Sequence, residues 1–170
     1  VLLVPESPRL ELQSVLVAVD YSEQSRMVAE ACIGLVRSFS GAELTLLHIY
    51  SVPTGYSKIG KTYGEFSAIM REHAEKRMSE FCQGLDLRGI KTKTMLQLDN
   101  GNGPTDEMMN VAKHRHIDMV AVGSKGRTNA AAFLLGSTAE KMVHLNADIP
   151  FLVIKKKGAN MDFLQAILNF

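Results

Sequence analysis

Ser14-Val15-Leu16-Val17-Ala18-Val19 is a β-branched apolar run that stops at Asp20. A run of that length without polar alternation reads as a strand buried on both faces, the condition of a parallel sheet whose crossovers lay helices over each side. Similar runs return at Leu44 to Tyr50, Ile117 to Gly123 and Pro150 to Lys155, with a weaker alternating segment at Thr92 to Leu98. Helical periodicity fills the intervals. Ser22 can cap a helix of about 15 residues that carries Val28, Ala31, Cys32, Leu35 and Val36, until Ser38-Phe39-Ser40-Gly41 breaks the pattern. Glu65 to Leu85 places Phe66, Met70, Ala74, Met78, Phe81 and Leu85 on one face of a long amphipathic helix. A third helix opens at Thr105-Asp106 after the turn Asp99 to Pro104, and a fourth spans about Ser137 to His144. Ser51 to Gly64 reads as a loop. Strand and helix alternate throughout, which predicts a mostly parallel sheet with helices on both faces joined by right-handed crossovers.

The 170 residues, 46% of them apolar, suffice for one core. At this size roughly 70% of the extended-chain surface is buried, so no metal or disulfide staple is required. Residues 14–156 form one domain, preceded by an extension at 1–13 and followed by an apolar tail at 157–170 in which Met161, Leu164, Ile167 and Leu168 share a face. Lys and Arg number 19 against 18 Asp and Glu, giving a net charge of +1. That balance argues against nucleic acid as the partner. Cys32 and Cys82 lie in helical patterns without disulfide-like spacing and read as core fillers in a reducing, cytoplasmic setting. No apolar run approaches the ~20 residues of a membrane span, so no membrane insertion is expected.

In an open α/β sheet, ligands sit at the carboxyl ends of the strands where strand order reverses. Asp20 ends the first strand, where a carboxylate can accept from a ribose hydroxyl or an adenine amino group, help to hold a metal, or simply cap the next helix. Ile49, ending the second strand, offers an apolar wall or plain core. The informative segment runs from Gly123 to Thr138, Gly-Ser-Lys-Gly-Arg-Thr-Asn-Ala-Ala-Ala-Phe-Leu-Leu-Gly-Ser-Thr. Gly123 and Gly126 let the backbone turn and approach a ligand, and Gly136 opens a helix. The amides of Gly136 to Thr138, with the Ser137 and Thr138 hydroxyls, suit a phosphate. Ser137-Thr138-Ala139-Glu140 also has capping-box spacing, which is compatible because a cap uses only some of the orphan amides. Lys125 and Arg127 either screen phosphate or are solvated loop cations. A Walker sequence is absent, and Gly101-Asn102-Gly103 lacks the third glycine of a dinucleotide fingerprint.

Gly123-x-x-Gly126, nine residues, then Gly136-Ser137 resembles the G-2x-G-9x-G-[ST] motif of the ATP-binding branch of the universal stress protein family, and Ala18-Val19-Asp20 resembles that family's first-strand signature. The likeness spans about residues 13–156. It implies a single open five-stranded parallel sheet of order 3-2-1-4-5, Rossmann-like, with the fifth strand at a dimer edge. By the same resemblance Ala18, Val19, Asp20 and Ile49 border adenosine, Val122, Gly123 and Gly126 line the nucleotide beside Arg127, and Gly136, Ser137 and Thr138 hold the phosphates. The implied ligand is ATP, ADP or AMP, with Mg²⁺ as an accompanying ion. The implied assembly is a homodimer through residues 150–155, whose Phe151-Leu152-Val153-Ile154 would otherwise be an aggregation-prone edge.

His48 lies within a buried strand, His73 on a helix face, and His114, His116 and His144 near helix ends, with no ligand spacing among them. Neither a nucleophile elbow nor a residue to position an attacking water is evident. These features favour a nucleotide-binding regulatory protein whose nucleotide alters a loop or a dimer. A slow ATPase or related adenine-nucleotide hydrolase, and an interaction module acting through the C-terminal tail, are the alternatives.

Overall fold

The computed structural model describes residues 2–3, 12–124 and 149–155. Its strands are β1 (Leu2–Leu3), β2 (Ser14–Ala18), β3 (Glu43–Tyr50), β4 (Lys91–Leu98), β5 (Met119–Gly123) and β6 (Phe151–Ile154). Its α-helices are α1 (Glu23–Arg37), α2 (Tyr63–Gln83) and α3 (Pro104–His114), and a 3₁₀ turn occupies Tyr56–Ile59. The sheet order is β1-β6-β5-β2-β3-β4. The five strands from β2 onward are mutually parallel, and counted alone they run 3-2-1-4-5. The chain steps outward from β2 to β3 and β4, then returns to β5 on the other side of β2. Crossovers of one hand that run in opposite directions must lie on opposite faces of the sheet.

Side-chain alternation makes that arrangement visible. Val15, Val17 and Val19 join Leu44, Leu46 and Ala121 in a buried cluster under α1 and the second half of α2. Leu16, Leu47, Val120, Val122, Phe151 and Val153 point the other way into a second cluster with Met108, Met109 and Ala112 of α3. Continuous apolar strands are required because both faces are covered, with successive side chains feeding opposite clusters.

Two features differ from the sequence expectation. Leu2–Leu3 adds a sixth, antiparallel strand, pairing Leu2 with Leu152 and Leu3 with Phe151, so β6 is not a bare edge. A two-residue strand is too short for its alternation to show in the sequence, even within the apolar run Val1-Leu2-Leu3-Val4. The α2 stripe is also only half used: Ala74, Met78 and Phe81 are buried, whereas Phe66 and Met70 are half-buried. The far edge, β4, carries exposed Lys91 and Lys93, with Lys93 paired to Glu43 at 2.8 Å. Charge on an edge strand discourages pairing with another sheet. The expected helix at Ser137 to His144 and the apolar tail at 157–170 lie outside the described residues.

Candidate functional site

The order of the sheet reverses between β2 and β5, and the carboxyl ends of these two strands define the crevice where α/β sheets receive ligands. Val19 extends β2 by one bond, its N–H donating to Leu47 O at 2.8 Å. Asp20 follows at the rim, half-buried. Its Oδ1 accepts from the Ser22 N–H at 3.0 Å and from the Ser22 hydroxyl at 2.5 Å. Ser22 in turn caps α1, its Oγ accepting from Ser25 N–H at 3.2 Å. The capping role and the rim carboxylate are thus divided between two residues: Ser22 closes the helix and Asp20 orients Ser22.

The β2–α1 turn requires an unusual backbone. Tyr21 has φ 64°, the left-handed region that a bulky residue enters only under constraint. Its ring lies 4.2 Å from the His48 ring and edge-on to Phe81 at 6.1 Å. The Arg77 guanidinium covers it at 4.5 Å, and its hydroxyl donates to Ala74 O at 3.0 Å. His48 Nδ1 lies 2.7 Å from Val19 O, and because a carbonyl only accepts, Nδ1 carries the proton. Tyr21 of the β2–α1 turn and His48 of β3 thereby lock the peptide that presents Asp20. Neither Tyr21 nor His48 was picked out as a site residue from sequence. His48 fits the alternation of a buried strand, and a tyrosine carries no sequence signal for a positive φ.

Of the residues expected to border a nucleotide, Ala18, Ile49 and Val122 come together on the α3 face of the sheet, Val122 buried and the other two packed beside its cluster. Ala18 contributes only a methyl group. Gly123 ends β5, paired with Ile154 and half-buried. The chain beyond it is tied down by Ser124 N–H donating to Ile154 O at 3.0 Å, an oxygen that also accepts from Gln24 Nε2 at 2.8 Å. Gly126, Arg127, Gly136, Ser137 and Thr138 lie outside the described residues, as does Lys125. The described part of the rim therefore holds a small apolar floor, a fixed carboxylate and a glycine at the switch point. Among the described residues, no group of three or more His, Cys, Asp or Glu side chains converges to hold a metal. Also among them, no helix is long and apolar enough to cross a membrane.

The same rim continues to the β4–α3 turn. Asp99 Oδ1 accepts from Gly101 N–H at 2.9 Å and Gly103 N–H at 3.0 Å. Glu107, 5% exposed, accepts from Asn102 Nδ2 at 3.1 Å and from Asn100 N–H and Gln97 Nε2 at 3.4 Å. Two carboxylates thus organise a turn that sequence marks only as punctuation.

A five-stranded parallel sheet with helices on both faces and a crevice at its reversal point defines an α/β protein of the doubly wound class. Comparison with known proteins narrows the class. The model of the universal stress protein family matches residues 11–155, and the chain belongs to that family. It is 25% identical over 162 residues to universal stress protein MJ0577 of Methanocaldococcus jannaschii, covering 86% of this chain and 97% of that protein. It is 27% identical over 145 residues to universal stress protein YxiE of Bacillus subtilis, covering 82% and 97% respectively. Among solved structures, MJ0577 superposes with a TM-score of 0.67 at 24% identity over 86% of this chain and 98% of that one. A universal stress protein in complex with cAMP superposes with a TM-score of 0.52 at 22% identity, covering 85% and 97%. At these identities the structural likeness speaks for the fold.

Proposed function

We propose that this chain is an adenine-nucleotide-binding regulatory protein of the ATP-binding branch of its family, acting in the cytoplasm. The observation that carries the reading is the convergence of Ala18, Ile49 and Val122 on one face of the sheet, at the rim where Asp20 and Gly123 end adjacent strands. An apolar floor suits a purine face, and a rim carboxylate suits ribose hydroxyls or an exocyclic amine. Val19 contributes backbone beside the ribose. Gly126, Gly136, Ser137 and Thr138 would hold the phosphates through backbone amides and hydroxyls, and Arg127 would screen their charge. Mg²⁺ would enter with the phosphates, since it keeps most of its waters and takes few protein ligands. A relative bound to cAMP shows that this fold accepts an adenine nucleotide in another chain. ATP, ADP or AMP is the ligand proposed for this one.

The proposed output is a change in the Gly123–Gly136 segment that alters a homodimer formed through β6. Residues 14–156 would form the nucleotide-binding unit, with 1–13 and 157–170 modulating assembly. Pairing two β6 edges requires displacement of Leu2–Leu3, which occupies that edge within one chain. Isothermal titration of the purified chain with ATP, ADP and AMP, repeated on Gly126→Val and Gly136→Val, tests the reading. Saturable binding that both substitutions abolish is expected; the absence of binding at millimolar nucleotide refutes it. Single-turnover hydrolysis no faster than the buffer blank would set the regulatory reading apart from an ATPase.

A further inference from the structure

The turn after β4 holds two Asn-Gly steps, Asn100-Gly101 and Asn102-Gly103. In such a step the glycine nitrogen can attack the side-chain carbonyl carbon of the preceding asparagine, because no Cβ on the following residue hinders the approach. The new N–C bond closes a five-membered succinimide, and the side-chain nitrogen leaves as ammonia. Water then opens the ring at either carbonyl to give aspartate or isoaspartate. No reactant other than water is consumed. The step that limits the reaction is loss of the glycine amide proton, which makes that nitrogen nucleophilic.

Both asparagines are exposed, so neither is protected by burial. The two attacking nitrogens, however, are the two N–H groups that Asp99 Oδ1 accepts, at 2.9 and 3.0 Å. Taking a proton from an amide that donates to a carboxylate leaves two negative charges in contact, so the charge-assisted bond opposes the first step at both sites. Asp99 is itself anchored, its N–H donating to Tyr50 O at 2.8 Å as a continuation of the β3–β4 ladder. On the other side of the turn, Glu107 ties the Asn102 side-chain nitrogen, the leaving group of the second step, at 3.1 Å.

We propose that Asp99 holds back deamidation at both steps, and that Asn102 is a modification site whose conversion to a carboxylate opens the β4–α3 turn. Conversion replaces a donor to Glu107 by a second negative charge at the same place. Glu107 is too buried for solvent to screen the repulsion well. The turn stands at the same carboxyl end of the sheet as Asp20 and Gly123, on the edge strand two places from β2.

The test follows deamidation in the full chain at neutral pH by peptide mapping and mass spectrometry, with isoaspartate counted by enzymatic methylation. The native chain should react at both steps at least about tenfold more slowly than the same chain in urea, as expected for one charge-assisted hydrogen bond. Asp99→Ala should bring both steps toward the unfolded rate, and Asp99→Asn, which keeps an oxygen acceptor without the charge, should fall between. Glu107→Gln leaves both glycine bonds in place and should not accelerate the Gly101 step. Equal rates in native and unfolded wild type overturn the proposal, as does slow reaction in Asp99→Asn or in Asp99→Ala shown by circular dichroism to be folded. For the second half, Asn102→Asp should speed amide exchange across residues 99–107 more than Asn102→Ala does; equal exchange contradicts it.

Discussion

Tyr21 accepts a backbone conformation that costs a non-glycine residue roughly 1–3 kcal/mol, and it does so between β2 and α1, where Asp20 must be presented. Its ring contacts with His48 and Phe81, at about 0.5–1.5 kcal/mol each, and the Arg77 guanidinium above it, at about 0.5–2 kcal/mol, offset that strain. Tyr21→Phe removes the hydroxyl that donates to Ala74 O while keeping the ring, and should cost about 1 kcal/mol in urea unfolding. Tyr21→Ala keeps the backbone strain while losing every ring contact, and should cost about 2–4 kcal/mol. Equal losses in the two variants would mean that the ring does not hold the turn. Cys32 is a second residue with a decisive environment. Burial pushes its thiol up to about 12, so it stays protonated and unreactive at neutral pH. Alkylation of Cys32 should require unfolding; modification of the native chain at the rate of a free thiol would contradict its place in the core.

Among the elements, the helix caps do most to set boundaries. Ser22 caps α1 and also donates to Asp20, so Ser22→Ala should cost about 1 kcal/mol of stability and loosen Asp20 as well. Thr62 and Glu65 form a capping box at the start of α2, and the Thr62 N–H and hydroxyl hold the Glu65 carboxyl below its ordinary range. In the loop after α2, hydrogen bonds from Arg88 and Arg37 hold Asp86 well below its own. Groups shifted downward stabilise the fold fully above the unfolded carboxylate range, near pH 4, and lose that contribution as pH falls through their folded values. Melting temperature should therefore fall on acidification below about pH 4, and less so for a Glu65→Gln, Asp86→Asn double variant, in which neither shifted carboxyl is left to titrate. A variant as acid-sensitive as wild type would discount these contacts. The strands and α1 were legible because burial on both faces leaves apolar runs, and because Ser22 supplies a cap where helical periodicity begins. The first half of α2 misled, since Phe66 and Met70 keep the period without gaining full burial. Asp20 and Gly123 could be selected because each ends an apolar strand run, where α/β sheets receive ligands, whereas the Tyr21–His48 lock depends on contacts between the β2–α1 turn, β3 and α2 that no local pattern announces.

At the scale of the whole molecule, the two sheet edges are treated differently. Lysines mark β4, while two leucines of the same chain cover part of β6. Leu2 remains 53% exposed, so its own side chain buries little apolar surface against β6. Deleting residues 1–4 should raise the dimer fraction in sedimentation velocity; a lower fraction would mean that β1 supports assembly instead. The proposed function requires a nucleotide at the β2–β5 reversal. Titrating ATP into isotopically labelled protein and following backbone amide resonances tests that placement directly. The shifts should concentrate at Ala18, Val19, Asp20, Val122 and Gly123 and spare Gln13, Ser14 and Asp118 at the opposite end of the same strands. Shifts confined to that opposite end, or none at millimolar ATP, would contradict it.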